Sequence, residues 1–238
     1  MDSSIYFEAI ANDPWSCYLD SGIQDDLDEN ISDKSRYDII VSHPFIKIIA
    51  DESIVSIEEN NLKKITKENP FNVLEGILEN FNIQETSLPF TGGALGYFSY
   101  ELTQSSIKKN KDHVGIPLMM IGIYDWALIV DHQEKTACIA SHLINKDTKD
   151  YLTTLIKKLK SVRPNNQLFK INSNIKSLLN FEAYDLMVNK ILSFIKEGDV
   201  YQINISNKYI VSCEGDSWTG YKKLREINHA PFMAYFHF

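Results

Sequence analysis

The sequence predicts an α+β fold of mostly antiparallel strands flanked by helices. Three features carry that reading. Short runs rich in Ile, Val, Tyr and Phe recur from Tyr37 to His142, broken by turn residues such as Ser42-His43-Pro44. An apolar run, Ile116 to Val130, turns through Asp131-His132-Gln133-Glu134-Lys135 and returns as Thr136 to His142, the pattern of a hairpin. Other stretches show the period of amphipathic helices.

Tyr37 to Val41 and Phe45 to Ala50 read as consecutive strands, with Ser53 to Ile57 a third. Asn69-Pro70 opens a short helix: proline suits the first helical position, and Phe71, Leu74, Ile77, Leu78 and Phe81 then share one side. Leu88 to Leu102, rich in glycine and aromatics, reads as strand with bulges. Asp147 to Val162 is an amphipathic helix with Tyr151, Leu152, Leu155, Ile156 and Leu159 on one face, ending before Pro164. Arg163 to Asn180 is polar and weakly periodic, the best linker candidate.

Phe181 to Glu197 is the clearest helix. Asn180 is placed to cap it, Tyr184, Met187, Val188, Ile191, Phe194 and Ile195 form its stripe, and Gly198 follows its end. Gly198 to Tyr209 then alternates, with Tyr201, Ile203, Ile205 and Tyr209 on one face and Gln202, Asn204, Ser206 and Lys208 on the other, which predicts a strand. Ser217 to Asn228 is a last helix, and Pro231 to Phe238 reads as a buried strand. Chain ends are normally polar and frayed, so this aromatic end predicts the N-terminal half of a larger protein. The expected division is residues 1–163, a linker 164–180, and an incomplete second domain 181–238.

With 238 residues, 44% of them hydrophobic, the chain has ample material for a core. A net charge of −8 without any Lys/Arg cluster argues against nucleic acid as partner. The N-terminus lacks the regions of a signal peptide, and no apolar run is long enough for a membrane span. Cys17, Cys138 and Cys213 are widely spaced, which suits reduced thiols in a cytoplasm better than a disulfide framework.

The sequence holds no Gly-x-Gly-x-x-Gly, P-loop, His-Glu-x-x-His or Gly-x-Ser-x-Gly pattern. Thr91 to Gly96 (TGGALG) lacks the lysine and hydroxyl of a phosphate cradle, and its glycines fit a bulge or close sheet packing. The six histidines, His43, His113, His132, His142, His229 and His237, show no ligand spacing, so no metal site is assigned. Asp25-Asp26-Leu27-Asp28-Glu29 reads as solvated loop. Gln202 and Asn204 could bond a buried ligand or merely satisfy a sheet-to-domain interface.

Three stretches in order carry a family resemblance: PWSCYLDSG with SRYDIIVSHP (Pro14 to Gly22, Ser35 to Pro44), PFTGGALGYFSYEL (Pro89 to Leu102) and GDVYQINISNKY (Gly198 to Tyr209). They resemble the large subunits of the chorismate-aminating enzymes, aminodeoxychorismate synthase and anthranilate synthase. The resemblance implies a two-sheet, mostly antiparallel β-sandwich flanked by helices, truncated here, with residues 181–238 opening the chorismate-binding domain. It also implies an effector site for L-tryptophan, on Leu19 and Ser21, on Ser35, Arg36 and Tyr37, and on Pro231, Phe232 and Met233. Those residues equally suit a turn followed by a core strand. The segments SRYDIIVSHP and HAPFMAYF favour the aminodeoxychorismate branch, while Met233 matches the anthranilate pattern.

The implied reaction replaces the C4 hydroxyl of chorismate with ammonia supplied by a glutamine amidotransferase partner, with Mg²⁺ on the substrate carboxylate. None of the family's Mg²⁺ ligands or catalytic side chains has a counterpart in residues 1–238, so no catalytic residue is assigned and this chain alone is expected to be inactive. The contrasting expectation is a non-catalytic truncated product that binds an amino acid.

Overall fold

The computed structural model describes residues 2–22, 36–52, 54–81, 86–103, 115–163, 167–228 and 230–238. The chain divides into two compact units, Met1–Asn165 with Tyr221–Phe238, and Asn166–Gly220. In chain order, α1 (Ser4–Glu8) leads to β1 (Ser16–Asp20), β2 (Tyr37–Val41), β3 (Ile46–Ala50), β4 (Val55–Glu59) and β5 (Leu62–Thr66). Then come α2 (Pro70–Leu78), β6 (Gly93–Phe98), β7 (Met119–Tyr124), β8 (Trp126–Asp131), β9 (Thr136–Ser141) and α3 (Thr148–Ser161). The second unit carries β10 (Phe169–Ile171), β11 (Lys176–Ser177), α4 (Phe181–Glu197), β12 (Tyr209–Ile210) and β13 (Cys213–Gly215). Helix α5 (Ser217–Ile227) starts in the second unit and ends in the first, and β14 (Met233–His237) completes the chain.

The first unit holds two five-stranded antiparallel sheets, β14-β1-β2-β8-β9 and β5-β4-β3-β7-β6, so the expected α+β, two-sheet architecture is present. The chain crosses between the sheets at Ser42–Pro44, where His43 takes a left-handed φ of 52°, and again at Asp125. Trp126 ties the two crossings together by donating its indole N–H to the Ser42 carbonyl (3.0 Å). The apolar run Ile116 to Val130 is therefore two strands in two sheets, not one. Residues of both sheets meet in one core, where Cys17, Val41, Ala127 and Ile129 pack with Leu95 and Tyr124. The outer face of the second sheet is covered by α2: Val73, Leu74, Ile77, Leu78 and Phe81 pack with Ile46, Ile48, Met119 and Ile121. Asn69 caps α2, its side chain accepting from the Phe71 amide at 2.9 Å.

Strand β5 was not anticipated. It returns from β4 through Asn60 and Asn61, both at positive φ (50° and 63°), a two-residue hairpin turn that asparagine tolerates better than most residues. At the other end of the chain β14 pairs along its whole length with β1, and Phe238 packs on Trp15 (ring centroids 4.7 Å apart).

In the second unit α4 matches the sequence reading from cap to cap. The Asn180 side chain accepts from the Ala183 amide at 2.8 Å, and Gly198 takes φ 83° while its own amide and that of Asp199 bond the Ile195 and Phe194 carbonyls. Two expectations fail there. The stretch read as a linker carries β10 and β11, which pair with β13 and β12. The strand expected over Tyr201–Tyr209 is absent apart from its last residue. Strands are held by ladder partners, and Tyr201 to Asn207 has none among the described residues; Tyr201 is 95% exposed. The units also depart from the division at 163 and 181, since β14 belongs to the first.

Candidate functional site

One end of the first sheet gathers four chain segments: the end of β1, the start of β2, the end of β8 and the start of β14. Register sets Leu19 opposite Ile39 and Ala234, Asp20 opposite Met233, and Tyr37 opposite Asp131. Just past β1, Gly22 takes φ 93°, and a Cβ there would stand 2.7 Å from the Ala230 carbonyl oxygen, so only glycine lets these segments approach.

Two buried carboxylates organise this end. The Asp38 side chain is fully buried, and its Oδ1 accepts from both the Ser21 amide and the Ser21 hydroxyl at 2.7 Å each. Its Oδ2 accepts from His132 Nε2 (2.7 Å), from the Ser3 hydroxyl and, at 3.4 Å, from the Tyr18 hydroxyl. Burial by itself would raise the Asp38 carboxyl; the donations from His132, Ser3 and the Ser21 amide outweigh it and hold the group below its ordinary value. Asp20, also fully buried, accepts from Arg225 Nε (2.6 Å) and Nη2 (3.2 Å), the Tyr221 hydroxyl (2.8 Å) and the Gly22 amide (2.9 Å). Tyr18 lies between the two groups, its phenol pushed far up by burial and then by the Asp38 and Asp20 charges, so it stays neutral.

The structure brings together part of the predicted effector set. Leu19, Ser21 and Met233 share this sheet end. Tyr37 stands at the start of β2, its ring under the Arg36 guanidinium (4.7 Å). Arg36 is engaged by Asp131 through Nε and Nη2 (2.8 Å at the shortest), a pairing that raises the guanidinium and lowers the carboxyl. Pro231 and Phe232 precede β14 with exposed side chains, and Ser35 lies outside the described residues. The sequence reading missed Asp20, Asp38, His132, Tyr221 and Arg225. One clue was available: a lone aspartate in the apolar strand YDIIV must be paired if buried.

Other candidates resolve differently. Gly92 of TGGALG sits at φ 138°, where a Cβ would stand 2.8 Å from the Tyr124 carbonyl oxygen, so close sheet packing explains it. Gln202 and Asn204 are exposed and face each other at 3.4 Å. A cleft of about 410 Å³ in the second unit is lined by Phe181, Tyr184, Ile205, Asn207 and Tyr209 among others, none of them cationic, so it offers no charge to a dicarboxylate such as chorismate. His113, His229 and the acidic run 25–29 lie outside the described residues. Among the described residues no three His, Cys, Asp or Glu side chains are placed to hold a metal, so they do not fit Mg²⁺ and no step is derived through it. All three cysteines are free, and no described helix is long and apolar enough to cross a membrane.

The pattern of the chorismate binding enzyme family matches residues 31–238. The chain is 30% identical to aminodeoxychorismate synthase component 1 of Escherichia coli (strain K12) over 239 residues, covering 98% of this chain and 50% of that protein. It is 28% identical to anthranilate synthase alpha subunit 2, chloroplastic, of Arabidopsis thaliana, covering 86% of this chain and 38% of that one. In structure it is similar to anthranilate synthase component I from Streptococcus pneumoniae TIGR4, with a TM-score of 0.68 at 20% identity over 87% of this chain and 47% of the other, a likeness of fold. The chain spans about half the length of the aminodeoxychorismate synthase relatives it matches. It belongs to the chorismate binding enzyme family.

Proposed function

We propose that this chain is part of an aminodeoxychorismate synthase large subunit. The whole protein would bond ammonia nitrogen to C4 of chorismate as the C4 hydroxyl leaves in water, giving 4-amino-4-deoxychorismate for 4-aminobenzoate and folate. Ammonia would come from a glutamine amidotransferase partner, and Mg²⁺ would be held by residues outside this set. What supports the branch is coverage: the aminodeoxychorismate synthase relatives align over 97–98% of the chain and the anthranilate synthase relatives over 86–87%. Residues 181–238 would open the chorismate-binding region. Incubation of the complete subunit with chorismate, ammonium and Mg²⁺ tests this. 4-Amino-4-deoxychorismate is the expected product; fluorescent anthranilate would assign the other branch, which Met233 favours. Residues 1–238 alone should give no turnover, and measurable product from them would overturn that part.

The sheet end built on Leu19, Ser21, Tyr37 and Met233 we assign to L-tryptophan. An indole needs an apolar slot, and an ammonium and a carboxylate need a few convergent polar groups. Supporting this, Ser21 is held there by the buried Asp38 carboxylate, and Tyr37 pairs across the ladder with Asp131. Calorimetric titration should show saturable heat; none at millimolar tryptophan, with no thermal shift, would overturn the assignment.

A further inference from the structure

We infer that the His132–Asp38 pair is the positioning device of this amino-acid site: it sets where the Ser21 amide and hydroxyl and the Arg36–Asp38 segment stand, and so sets ligand affinity. The inference rests on the tryptophan reading above.

The geometry is specific. His132 holds the start of β2 and the residue before it, donating its backbone N–H to the Arg36 carbonyl (2.9 Å) and its ring Nε2–H to Asp38. The preceding residue, Asp131, takes the Arg36 guanidinium and pairs across the ladder with Tyr37. Two consecutive residues at the β8–β9 turn therefore hold three consecutive residues at the site. Asp38 passes this placement on to Ser21, which gives both its amide and its hydroxyl to the same carboxylate oxygen.

The charged and titratable groups facing the pair are Tyr18, with Asp20, Arg225 and Tyr221 beyond it, and Arg36 with Asp131 on the open side. Among the described residues bonded to Asp38, His132 is the only one with a cationic form. Without it the buried carboxylate loses a donor and takes up a proton more readily. The lost donor sat on Oδ2, so the carboxylate is held less firmly against turning about its Cβ–Cγ bond, and Oδ1, which takes both Ser21 donations, turns with it.

The test compares the parent with His132→Gln, His132→Leu and His132→Asn. Gln presents an amide N–H where Nε2 stood; Leu removes the donor; Asn is polar but too short to reach Asp38, and serves if the Leu variant does not fold. Two readouts are taken on each: the Ser21 amide proton shift and exchange rate by NMR, and the L-tryptophan Kd by calorimetry. Expected are a Gln variant within about threefold of the parent in Kd, and a Leu or Asn variant at least tenfold weaker, its Ser21 amide shifted upfield and exchanging faster. A purely stabilising pair would lower the melting temperature and leave the Ser21 amide and the Kd unmoved, which overturns the inference. If the parent itself gives no heat with tryptophan, the ligand reading fails, and with it this role, whatever Ser21 does.

Discussion

Arg225→Met removes the guanidinium that pairs with Asp20 while keeping an apolar stem of similar reach. Both partners are buried, with side-chain exposures of 6% and 0%, so what is left is an uncompensated carboxylate in the protein interior. Breaking a buried pair from one side costs about 3–5 kcal/mol. The low end applies here, because the Tyr221 hydroxyl and the Gly22 amide stay on Asp20. The Asp2 contact adds little, since that carboxylate is 53% exposed. A loss of about 3 kcal/mol at about 2–4 °C per kcal/mol corresponds to a melting temperature lower by about 6–12 °C. Circular-dichroism melts and urea titrations at pH 7 would measure it, and the double variant Asp20→Asn/Arg225→Met should recover part of the loss. A change below about 1 kcal/mol would refute the reasoning that Asp20 depends on Arg225 for its charge compensation.

Three further outcomes are expected. Asp38 sits below its ordinary value of 3.8, so the stability it contributes is fully present above that value and is lost as pH falls through the depressed one. Acid titration of the urea midpoint should thus fall more steeply for the parent than for Asp38→Asn, and parallel curves would contradict the assignment. Burial, only partly opposed by the Tyr124 hydrogen bond, pushes the Cys17 thiol up to about 12, so Ellman's reagent should titrate the exposed Cys138 and Cys213 in the native protein and reach Cys17 only on unfolding. Asn180→Ala removes the side-chain acceptor for the Ala183 amide and should cost about 1 kcal/mol of helix stability, read as faster amide exchange at Ala183; unchanged exchange would deny the cap its role.

How far the sequence reads depends on the reach of each interaction. Helix α4 was legible to the residue because a cap at Asn180, a stripe of apolar side chains and a left-handed glycine are all local facts. The switch of sheets at Asp125 was not, because its neighbours on both sides are apolar and nothing local marks which sheet each half joins. The site divides the same way. Leu19, Ser21 and Met233 sit in motifs that can be singled out from the sequence, whereas His132 lies 94 residues from its partner Asp38 and looked like an ordinary turn residue. Such a pairing is decided by the β2–β8 ladder, which only the folded sheet reveals.

The junction at Gly198 shows why two equally clear patterns had opposite fates. Both flanking segments carry an amphipathic signature, and neither buries its apolar side chains well: α4 has no buried residue, and Tyr201 stands almost fully in solvent. A helix satisfies its backbone internally, so α4 forms with its stripe no more than half-buried. A strand cannot, and alternation describes only what a segment would present to a sheet once a neighbour supplies hydrogen bonds. The contrast with β14 makes the point within one chain. That segment is no more regular than Tyr201–Tyr209, yet it pairs from Met233 to His237 because β1 offers it a complete ladder. Periodicity of two is therefore a conditional statement, and periodicity of 3.6 with caps is nearly an unconditional one.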